Sequence, residues 1–441
     1  MNEPDEVAAD PFTHSGRDCH KATIPTHPSR SPRNLGWFVR AVGHTLGQMS
    51  ADEADDVVSP LTVDDVAHVR QAVRDVASSV PRDTDAIQRE RRLPDDLVER
   101  LRSTGINRLV LPTELGGYQA SVLDVLDVAE ELAAADGSTG WCAALGSGSN
   151  LLAGYIPEAG ARRVFADPDQ GNATMFAPAG TLVDVDGTLR LSGRWPFVSN
   201  CLHSAWIGLG ALSDGHGPAG PPTIVWVPVS ELQIEETWDS DGLRGTGSHD
   251  VVADDVVVDP DHCCTFADTP WATGTLWRLT PHSVFLPILA TLPLGIARGA
   301  LDEIARQVRE GRQARRGNLA DDPVALASYG DADTRLRGAT TGLRDLVRQA
   351  EDLAEAHEPI GRTLQARISL AAIQACDVAV DVTSTAHQLG GGAAAYRPST
   401  LLRALADVQA ARQHLLFAPK HRIELAKAAA GLDVTYPPFV V

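Results

Sequence analysis

Positive charge is in short supply in this chain, and lysine is almost absent from it. The 441 residues include 38 lysines and arginines against 58 aspartates and glutamates, which gives a formal net charge of −20 at pH 7. Lysine occurs only at positions 21, 420 and 427. A nucleic acid is bound by a basic face that neutralises its phosphates. We therefore expect no nucleic acid among the partners of this protein.

Cysteine is also sparse and carries no metal-binding pattern. The chain has six cysteines without a CxxC pair or a Cys/His ligand spacing, so neither a zinc site nor a disulfide framework is predicted: Cys19, Cys142, Cys201, Cys263, Cys264 and Cys376. Scattered thiols are typical of a reducing, cytoplasmic setting. No signal peptide is visible, and the longest apolar run, SVFLPILATLPLGIA, is shorter than the roughly 20 residues that span a bilayer. We expect no metal and no membrane.

The first 48 residues differ in composition from the rest of the chain. They hold five acidic and five basic residues, so nearly all of the net charge lies after them. They are rich in Pro, His and Ser, as in THPSRSPRN, and show no sustained periodicity, which is typical of disorder. We predict that residues 1–55 are a disordered N-terminal extension, or one assigned by a wrong start codon ahead of Met49.

Helical periodicity dominates residues 56–170. In LPDDLVERLRSTGI leucine recurs at every fourth position from Leu93 to Leu101, which places these side chains on one helix face. The later stretch LDVLDVAEELAAADGSTGWCAALGSGSNLLAGYI reads as two helices separated at Asp136-Gly137. This pattern predicts an N-terminal helical domain.

Strand signals replace the helical ones over residues 171–278, and helical signals return over residues 279–441. TLVDVDGTLRLSGRWPF predicts a β-hairpin with Asp186-Gly187 as its two-residue turn. Four amphipathic segments with short connections then predict a four-helix bundle, near residues 283–313, 322–356, 360–388 and 399–430. The glycine run GGG at 390–392 lies between predicted helices and lacks the GxGxxG spacing of a phosphate-binding fingerprint. The predicted fold class is α+β, with an N-terminal helical domain, a central β-barrel or sandwich domain and a C-terminal four-helix bundle.

Five strings of residues stand in a fixed order across roughly residues 62–430. They are RRLPDDLVERLRSTGINRLVLPTELGG, ADGSTGW, GLRGTGSHDVVADDVVVD, LPLGIARGALDEI and HQLGGGAAAYRPSTLLRALADVQAARQH. Together they resemble the acyl-CoA dehydrogenase fold, in its branch of two-component flavin-dependent monooxygenases (group D type). The resemblance implies a flavin cofactor and a homotetramer, or at least a dimer, because this family builds the flavin pocket partly from a neighbouring subunit's bundle.

The stretch SGRWPFVSNC is similar to the family strand that lies against the flavin ring. The resemblance implies that the hydroxyl of Ser199 hydrogen-bonds near flavin N5, where it can donate or accept. Trp195 and Phe197 would offer flat apolar contact to the ring. The alternative, for a serine taken alone, is a structural residue that caps a turn.

Two further segments belong to the predicted cofactor site. Ala177 and Pro178, in MFAPAGTL, match the family segment whose backbone contacts the flavin pyrimidine. Gly390 and Gly391, in the glycine run between two predicted helices, are assigned to the same site. Backbone contacts place little demand on side chains, so these assignments rest on the resemblance.

Gln413-His414 stand where this branch has a histidine in a motif of the form RD…QH. The resemblance implies that reduced flavin forms a C4a-hydroperoxide with O2, whose distal oxygen passes to the substrate. Ser199 and His414 are then the predicted catalytic residues, since histidine titrates near neutral pH and can deliver or accept a proton. The family's arginine before the aspartate is replaced here, although Arg403 and Asp407 remain and can also form an i, i+4 pair on the helix surface.

The acyl-CoA dehydrogenase chemistry itself is the main alternative. Dehydrogenases of the commonest type carry a glutamate base in this helix, but no acidic residue lies between Asp407 and Glu424. The RxxFG signature for the FAD pyrophosphate is also missing, and EGRQARRGNLADDP stands there. An FAD-dependent oxidation of an acyl thioester with its base on an earlier helix stays open, as does a homologue that has lost flavin.

The substrate contacts are predicted on the helix after ADGSTGW. Trp141, Ser149 and Asn150 are the candidates, and Trp141 can equally pack in the core. This helix lacks the histidine that phenol-hydroxylating relatives often place there, so a phenol is not favoured. Amines, sulfur heterocycles and polyketide-like aromatics remain open.

The resemblance implies the oxygenase component of a two-component flavin-dependent monooxygenase, which hydroxylates or N-oxidises a small molecule of specialised metabolism. An NAD(P)H-flavin reductase would supply the reduced flavin in a transient encounter. The missing pyrophosphate signature favours FMN over FAD.

Overall fold

The computed structural model describes residues 63–213, 222–314 and 317–434, which form eleven α-helices and nine β-strands. The helices are α1 (Val63–Ser79), α2 (Thr84–Glu90), α3 (Asp95–Arg102), α4 (Val122–Ala135), α5 (Gly137–Ser149), α6 (Glu158–Val164), α7 (Pro281–Arg309), α8 (Pro323–Glu355), α9 (Arg362–Gly390), α10 (Thr400–Arg412) and α11 (His421–Ala429). The strands are β1 (Ala173–Val185), β2 (Thr188–Val198), β3 (Trp206–Ser213), β4 (Thr223–Pro228), β5 (Gln233–Glu235), β6 (His249–Val258), β7 (Cys263–Thr265), β8 (Gln313–Ala314) and β9 (Gly317–Asn318). The predicted N-terminal extension, residues 1–55, lies outside the described residues.

Helix α5 is the most enclosed element of the N-terminal helices. Asp136 ends α4 and caps α5, because its Oδ1 accepts hydrogen bonds from the backbone N–H of Thr139 at 2.8 Å and from its hydroxyl at 2.9 Å. Every residue of α5 except Leu145 is buried. The helix therefore has no solvent face, and it contacts α4, α7, α10 and β1 at once.

The central β domain is one continuous mixed sheet of seven strands. Their order is β5-β6-β2-β1-β3-β4-β7, and only β1 and β3 pair in parallel. The predicted hairpin joins β1 to β2, and its two turn residues, Asp186 and Gly187, both have positive φ (53° and 83°). A two-residue turn of this kind matches the right-handed twist of the flanking strands.

The hairpin strands separate at the end opposite their turn. β1 and β2 pair as far as Gly180 and Gly193, after which β1 continues along β3 and β2 continues along β6. The indole of Trp195 fills the core where the strands separate, and its Nε1 donates a hydrogen bond to the carbonyl oxygen of Gly210 at 2.7 Å. A Cβ atom on Gly180 would lie 2.2 Å from this indole, so the absence of a side chain there is a packing requirement.

The C-terminal helices place α7 and α9 at the centre of the bundle. By length and composition, α7 and the segment 362–395 are long and apolar enough to span a membrane. In α7, however, 83% of the most apolar 18-residue window is buried inside the protein, which is the environment of a core helix. The fourth predicted segment is not continuous, because α10 ends at Arg412 and α11 begins at His421. His414 therefore lies in a helix break.

The architecture confirms the predicted α+β fold class. Helices, a sheet and a second group of helices follow one another along the chain, and the seven strands of the central domain are hydrogen-bonded in one sheet. The predicted domain limits at 170/171 and 278/279 remain predictions. They fall between α6 and β1 and between β7 and α7.

We predict that Gly180→Ala destabilises the fold by about 1–3 kcal/mol, because the new methyl group would press into Trp195. The matched control is Gly338→Ala on the exposed side of α8, where an added Cβ meets nothing within 4 Å. Alanine should stabilise that position by about 0.5–1 kcal/mol through helix propensity. Urea unfolding of both variants measures the two free energies, and a Gly180→Ala protein as stable as the wild type would contradict the packing argument.

Candidate functional site

Trp141 joins the two predicted catalytic residues. Its indole Nε1 donates a hydrogen bond to the hydroxyl oxygen of Ser199 at 3.2 Å. The same indole lies against the imidazole of His414, with 6.0 Å between ring centroids and 57° between ring planes. The structure thus brings Ser199, in the turn after β2, and His414, just after α10, to one side chain of α5. Trp141 itself is buried, so it supports these two residues from the core side.

Ser199 is also the first member of a row of hydroxyl groups. Its Oγ is 2.8 Å from the Oγ of Ser248, which is 2.6 Å from the Oγ1 of Thr246. The hydroxyl of Thr246 donates to the carbonyl oxygen of Leu243 at 2.8 Å. Thr246 and Ser248 are buried, whereas Ser199 is partly exposed. The row therefore runs from the site surface into the interior.

Phe197 presents the largest exposed apolar surface next to Ser199. Its side chain is 62% exposed and meets Trp238 edge to face, with 6.3 Å between ring centroids. Its backbone is in the left-handed region at φ 64°, where bulky residues are rarely found, and the pairing of β2 with β6 shifts register between Trp195 and Val198. Such strained conformations cluster at functional sites. A bulge thus turns an aromatic side chain outward at the predicted flavin face.

Trp195 does not share this outward position. Its side chain has no exposed surface and fills the sheet core, so it offers no face for direct contact with a ligand. Ala177 and Pro178 are exposed, at a register shift in β1 between Met175 and Gly180. These two residues lie on the separated end of the hairpin, and their contact with flavin remains a prediction.

His414 is neutral at physiological pH. The backbone N–H of Leu416 donates to its Nδ1 at 3.3 Å, which assigns the proton of the neutral ring to Nε2. Burial of the ring lowers the pKa of His414 to about 4. The prediction that His414 titrates near neutral pH is therefore wrong in this structure, because enclosure of the ring disfavours the imidazolium. What His414 offers at pH 7 is an N–H donor.

Asp407 is buried against Asp136, and it does not form the surface pair with Arg403 that the i, i+4 spacing allows. Its Oδ1 accepts a hydrogen bond from the backbone N–H of Leu243 at 2.6 Å, and only 2% of the residue is exposed. Arg403 lies instead 3.9 Å from Asp136, measured from Nε to Oδ2. Burial, and then the negative charge of Asp136, raises the pKa of Asp407 to about 7. This carboxyl group links α10 to the loop that carries Thr246 and Ser248.

Ser149 and Asn150 are engaged in structural hydrogen bonds. The hydroxyl of Ser149 donates to the carbonyl oxygen of Leu145 at 2.7 Å and lies 2.8 Å from the hydroxyl of Thr174. The amide of Asn150 donates to the backbone carbonyl of Asn107 at 2.8 Å. Both side chains are buried, so a substrate contact at either residue remains a prediction that their burial does not support.

Gly390 and Gly391 end α9. Gly390 is buried, and Gly391 has a positive φ of 58° that a residue with a side chain rarely adopts. The guanidinium of Arg312 donates to the carbonyl oxygens of Leu389 at 3.2 Å and of Gly390 at 2.6 Å. These contacts explain the glycines by helix termination, and their part in cofactor binding remains a prediction.

Thr246, Ser248 and Trp238 are the site residues that sequence reasoning missed. The string GLRGTGSHDVVADDVVVD carried only the family resemblance and no predicted site residue, yet it places two hydroxyl groups beside Ser199. The available signal was the spacing of Thr246 and Ser248 around Gly247 at the start of β6. Trp238 lies in a loop without periodicity and carried no signal. Among the described residues, no group of three or more His, Cys, Asp or Glu side chains is placed to hold a metal ion.

We predict that Asp407→Asn makes the stability less dependent on pH. The folded protein keeps a proton on Asp407 up to about pH 7, whereas the unfolded chain releases it near pH 4. Between these values the folded state binds more protons, so this residue makes the free energy of unfolding fall as pH rises. Asparagine mimics the protonated form and removes that fall. Glu351, whose pKa burial also raises to about 7, titrates in both proteins and cancels from the comparison.

Urea unfolding of both proteins at intervals from pH 4.5 to pH 8 measures the difference. Asp407→Leu is the contrasting variant: it also lacks the titrating carboxyl group, but it leaves the N–H of Leu243 without an acceptor. It should therefore be about 1–3 kcal/mol less stable than Asp407→Asn at every pH. Parallel pH curves for the wild type and Asp407→Asn would contradict the assignment.

Comparison with known families gives matches at both ends of the described chain. The family described as "Acyl-CoA dehydrogenase, N-terminal domain" matches residues 64–164. The family described as "Acyl-CoA dehydrogenase, C-terminal domain" matches residues 288–419. The first region holds α5 and Trp141, and the second holds α10 and His414.

Relatives in sequence are named as monooxygenases. Indole-3-acetate monooxygenase of Pseudomonas putida is 30% identical over 328 residues, which are 74% of this chain and 84% of the relative. The oxygenase subunit HsaA, a flavin-dependent monooxygenase of Rhodococcus jostii, is 29% identical over 78% of this chain and 94% of its own.

Solved structures support the same grouping. The crystal structure of 3-HSA hydroxylase from Rhodococcus superposes with a TM-score of 0.78 at 26% identity, over 84% of this chain and 98% of that chain. XiaF from Streptomyces, in complex with FADH2 and glycerol, superposes with a TM-score of 0.77 at 25% identity, over 84% and 97% of the two chains. The chain therefore belongs to the acyl-CoA dehydrogenase family, and within it to the flavin-dependent monooxygenases that act as oxygenase components of two-component systems.

Proposed function

We propose that this monooxygenase oxidises a small aromatic molecule at the face formed by Phe197, Ser199 and His414. The observation that carries the proposal is the contact of one indole, that of Trp141, with both Ser199 and His414. Two residues far apart in the chain are thereby held at one place, which preorganises a site.

The residues of this face fit a flavin ring. A flavin presents a flat apolar surface bordered by hydrogen-bonding nitrogen atoms. Phe197 supplies an exposed aromatic surface, and Ser199 supplies a hydroxyl group two residues away. The described part of the face also includes Trp238, whose ring packs edge-on against Phe197. Aromatic and hydroxyl groups at this spacing suit stacking beside a directed hydrogen bond.

The bound reduced flavin would supply the electrons that activate O2, and the protein would control water and protons around it. The buried Trp141 closes the site on the core side, which excludes water from the reacting atoms. The Nε2–H of His414 can donate a hydrogen bond to a polar oxygen atom without carrying a charge. Ser199 would hold the flavin edge in register with that donor.

An aromatic substrate without an ionisable phenol is the proposed class. Two relatives, from Pseudomonas putida and Acinetobacter baumannii, are named indole-3-acetate monooxygenase, and their names support a substrate with a fused aromatic ring. Helix α5 has no histidine or acidic residue along its length that would deprotonate a phenol. The resorcinol hydroxylase of Rhizobium, 31% identical over 64% of this chain, supports the competing phenolic class. A turnover comparison of indole-3-acetate with resorcinol separates the two.

Different features favour FMN and FAD as the bound flavin. The missing pyrophosphate signature favours FMN, and Arg312 is occupied by carbonyl oxygens at the end of α9. The names of the resorcinol hydroxylase, given as FADH2-dependent, and of the XiaF complex with FADH2 favour FAD. Both flavins belong in the first experiment.

A reductase partner and self-association complete the proposal. As an oxygenase component, the chain would receive its flavin from an NAD(P)H-flavin reductase in a transient encounter. Four large apolar side chains near the C-terminal helices are exposed, which supports contact with further copies in a homotetramer: Tyr396, Leu415, Ile423 and Leu432. A cytoplasmic location fits free thiols at the described cysteines.

The first test needs no substrate. The purified protein is titrated anaerobically with reduced FMN and with reduced FAD, then mixed with oxygen while the flavin absorbance is followed. We expect one flavin to bind and its return to the oxidised spectrum to be slower than that of free flavin, because the site excludes water. Failure of both reduced flavins to bind would sink the proposal.

The second test compares Ser199→Ala with His414→Ala. In the presence of a substrate that the wild type oxidises, each variant should divert a larger share of the reduced flavin to hydrogen peroxide, up to one peroxide per flavin, because each loses one hydrogen bond to the reacting groups. The effect of His414→Ala should be the same at pH 6 and pH 8, since the ring is neutral at both. Ser204→Ala is the control: its buried hydroxyl donates to the carbonyl of Asn200 and lies outside the proposed face. Wild-type peroxide yields in both variants would contradict the residue assignment.

A further inference from the structure

We propose that Ser199 presents only a hydrogen-bond acceptor to the flavin, because a one-way row of hydroxyl groups consumes its proton. The consequence is selection of reduced flavin over oxidised flavin at the site. This inference rests on the proposed function, since it takes Ser199 to face flavin N5.

The polarity of the row is fixed at its buried end. The carbonyl oxygen of Leu243 can only accept, so Thr246, at 2.8 Å, must donate its hydroxyl proton to it. A hydroxyl group has one proton. Thr246 can therefore only accept from its other neighbour, the hydroxyl of Ser248 at 2.6 Å.

The same rule then passes outward along the row. Ser248 spends its proton on Thr246, so across the 2.8 Å contact Ser199 must be the donor. The indole N–H of Trp141 can only donate, and it takes one lone pair of Ser199 at 3.2 Å. Ser199 is left with no proton to give and with one lone pair that faces outward.

The opposite polarity is costly because the row is buried. It would leave the oxygen atoms of Thr246 and Leu243 facing each other at 2.8 Å without a proton between them. Thr246 is 2% exposed and Ser248 is 5% exposed, so water cannot relieve the repulsion. Leu243 is itself fixed, because Asp407 accepts from its backbone N–H and Trp238 donates to its carbonyl at 3.1 Å.

Flavin N5 changes its hydrogen-bonding role with oxidation state. Reduced flavin carries a proton on N5 and donates there, whereas oxidised flavin has only a lone pair at N5 and accepts. If Ser199 can only accept, its Oγ forms a hydrogen bond with the N5–H of reduced flavin. With oxidised flavin, lone pairs on Oγ and on N5 face each other and repel. Preference for the reduced form suits an oxygenase that takes up reduced flavin and releases oxidised flavin after turnover. Thr246 and Ser248 are thus positioning residues, which act through Ser199.

The test measures flavin binding, not turnover. Dissociation constants for oxidised and for anaerobically reduced flavin are determined by fluorescence titration, with the flavin that the first test identifies. The wild type should bind the reduced form more tightly. In Ser248→Ala the proton of Ser199 is released to donate to the flavin, so the ratio of oxidised to reduced dissociation constants should fall about threefold to tenfold.

A second pair of variants keeps the test independent of whether Ser248→Ala folds. Thr246→Val has nearly the shape of threonine but lacks the hydroxyl, so Ser248 loses its acceptor and its proton can turn toward Ser199. The ratio should fall as in Ser248→Ala. Thr246→Ser restores a hydroxyl and should return the ratio to that of the wild type. Ser147→Ala, which removes a buried hydroxyl of α5 bonded to the carbonyl of Ile106, should leave the ratio unchanged.

Two results would overturn the inference. If the wild type binds flavin but the ratio is unchanged in both Ser248→Ala and Thr246→Val, the row does not set the role of Ser199, and the proposed function stands. If the wild type binds neither redox form, the proposed function fails and the inference fails with it.

Discussion

The enclosure of helix α5 is the constraint on which the rest of the structure depends. Its residues are small where other elements approach most closely: a Cβ on Gly140 would lie 2.5 Å from the Cα of Ala133, and one on Gly137 would lie 2.8 Å from Oδ2 of Asp407. Small residues thus allow α4 and α10 to approach the same short helix. Trp141 is its one aromatic side chain, and it contacts Ser199 in the turn after β2 and His414 just after α10. The relative positions of Ser199 and His414 therefore depend on the packing around α5.

This close packing also determines the charge of the polar groups inside it. Burial raises the cost of an ionised group, so His414 loses its proton and Asp407 keeps one at a pH where free side chains would do the reverse. Each neutral group retains hydrogen bonds, from Leu416 to His414 and from Leu243 to Asp407. The site thus works with fixed dipoles, which need no rearrangement when charge develops on a bound molecule.

The sequence was sufficient for the fold class, because it follows from long strings in a fixed order. Both Ser199 and His414 contact Trp141, and their catalytic roles remain predictions. The sequence was not sufficient for the state of those residues. Regular strand alternation would give Trp195, Phe197 and Ser199 the same face, but a bulge with φ 64° at Phe197 separates the buried Trp195 from the exposed Phe197. A local pattern cannot show such a bulge. Nor can it show the enclosure that lowers the pKa of His414, since that depends on chain segments far away in sequence.

The burial of Trp195 has a consequence for how such a site can diversify. The indole acts as a wedge at the fork of the hairpin, seated on Gly180 and held by the carbonyl of Gly210. The separation of β1 from β2 beyond this point is therefore determined by a buried side chain. Exposed side chains on the separated strand ends, such as Ala177 and Pro178, can be substituted without changing the distance between the strands. The spacing of the strands and the chemistry of the exposed residues thus depend on different side chains, so the exposed residues can change in evolution while the spacing is kept.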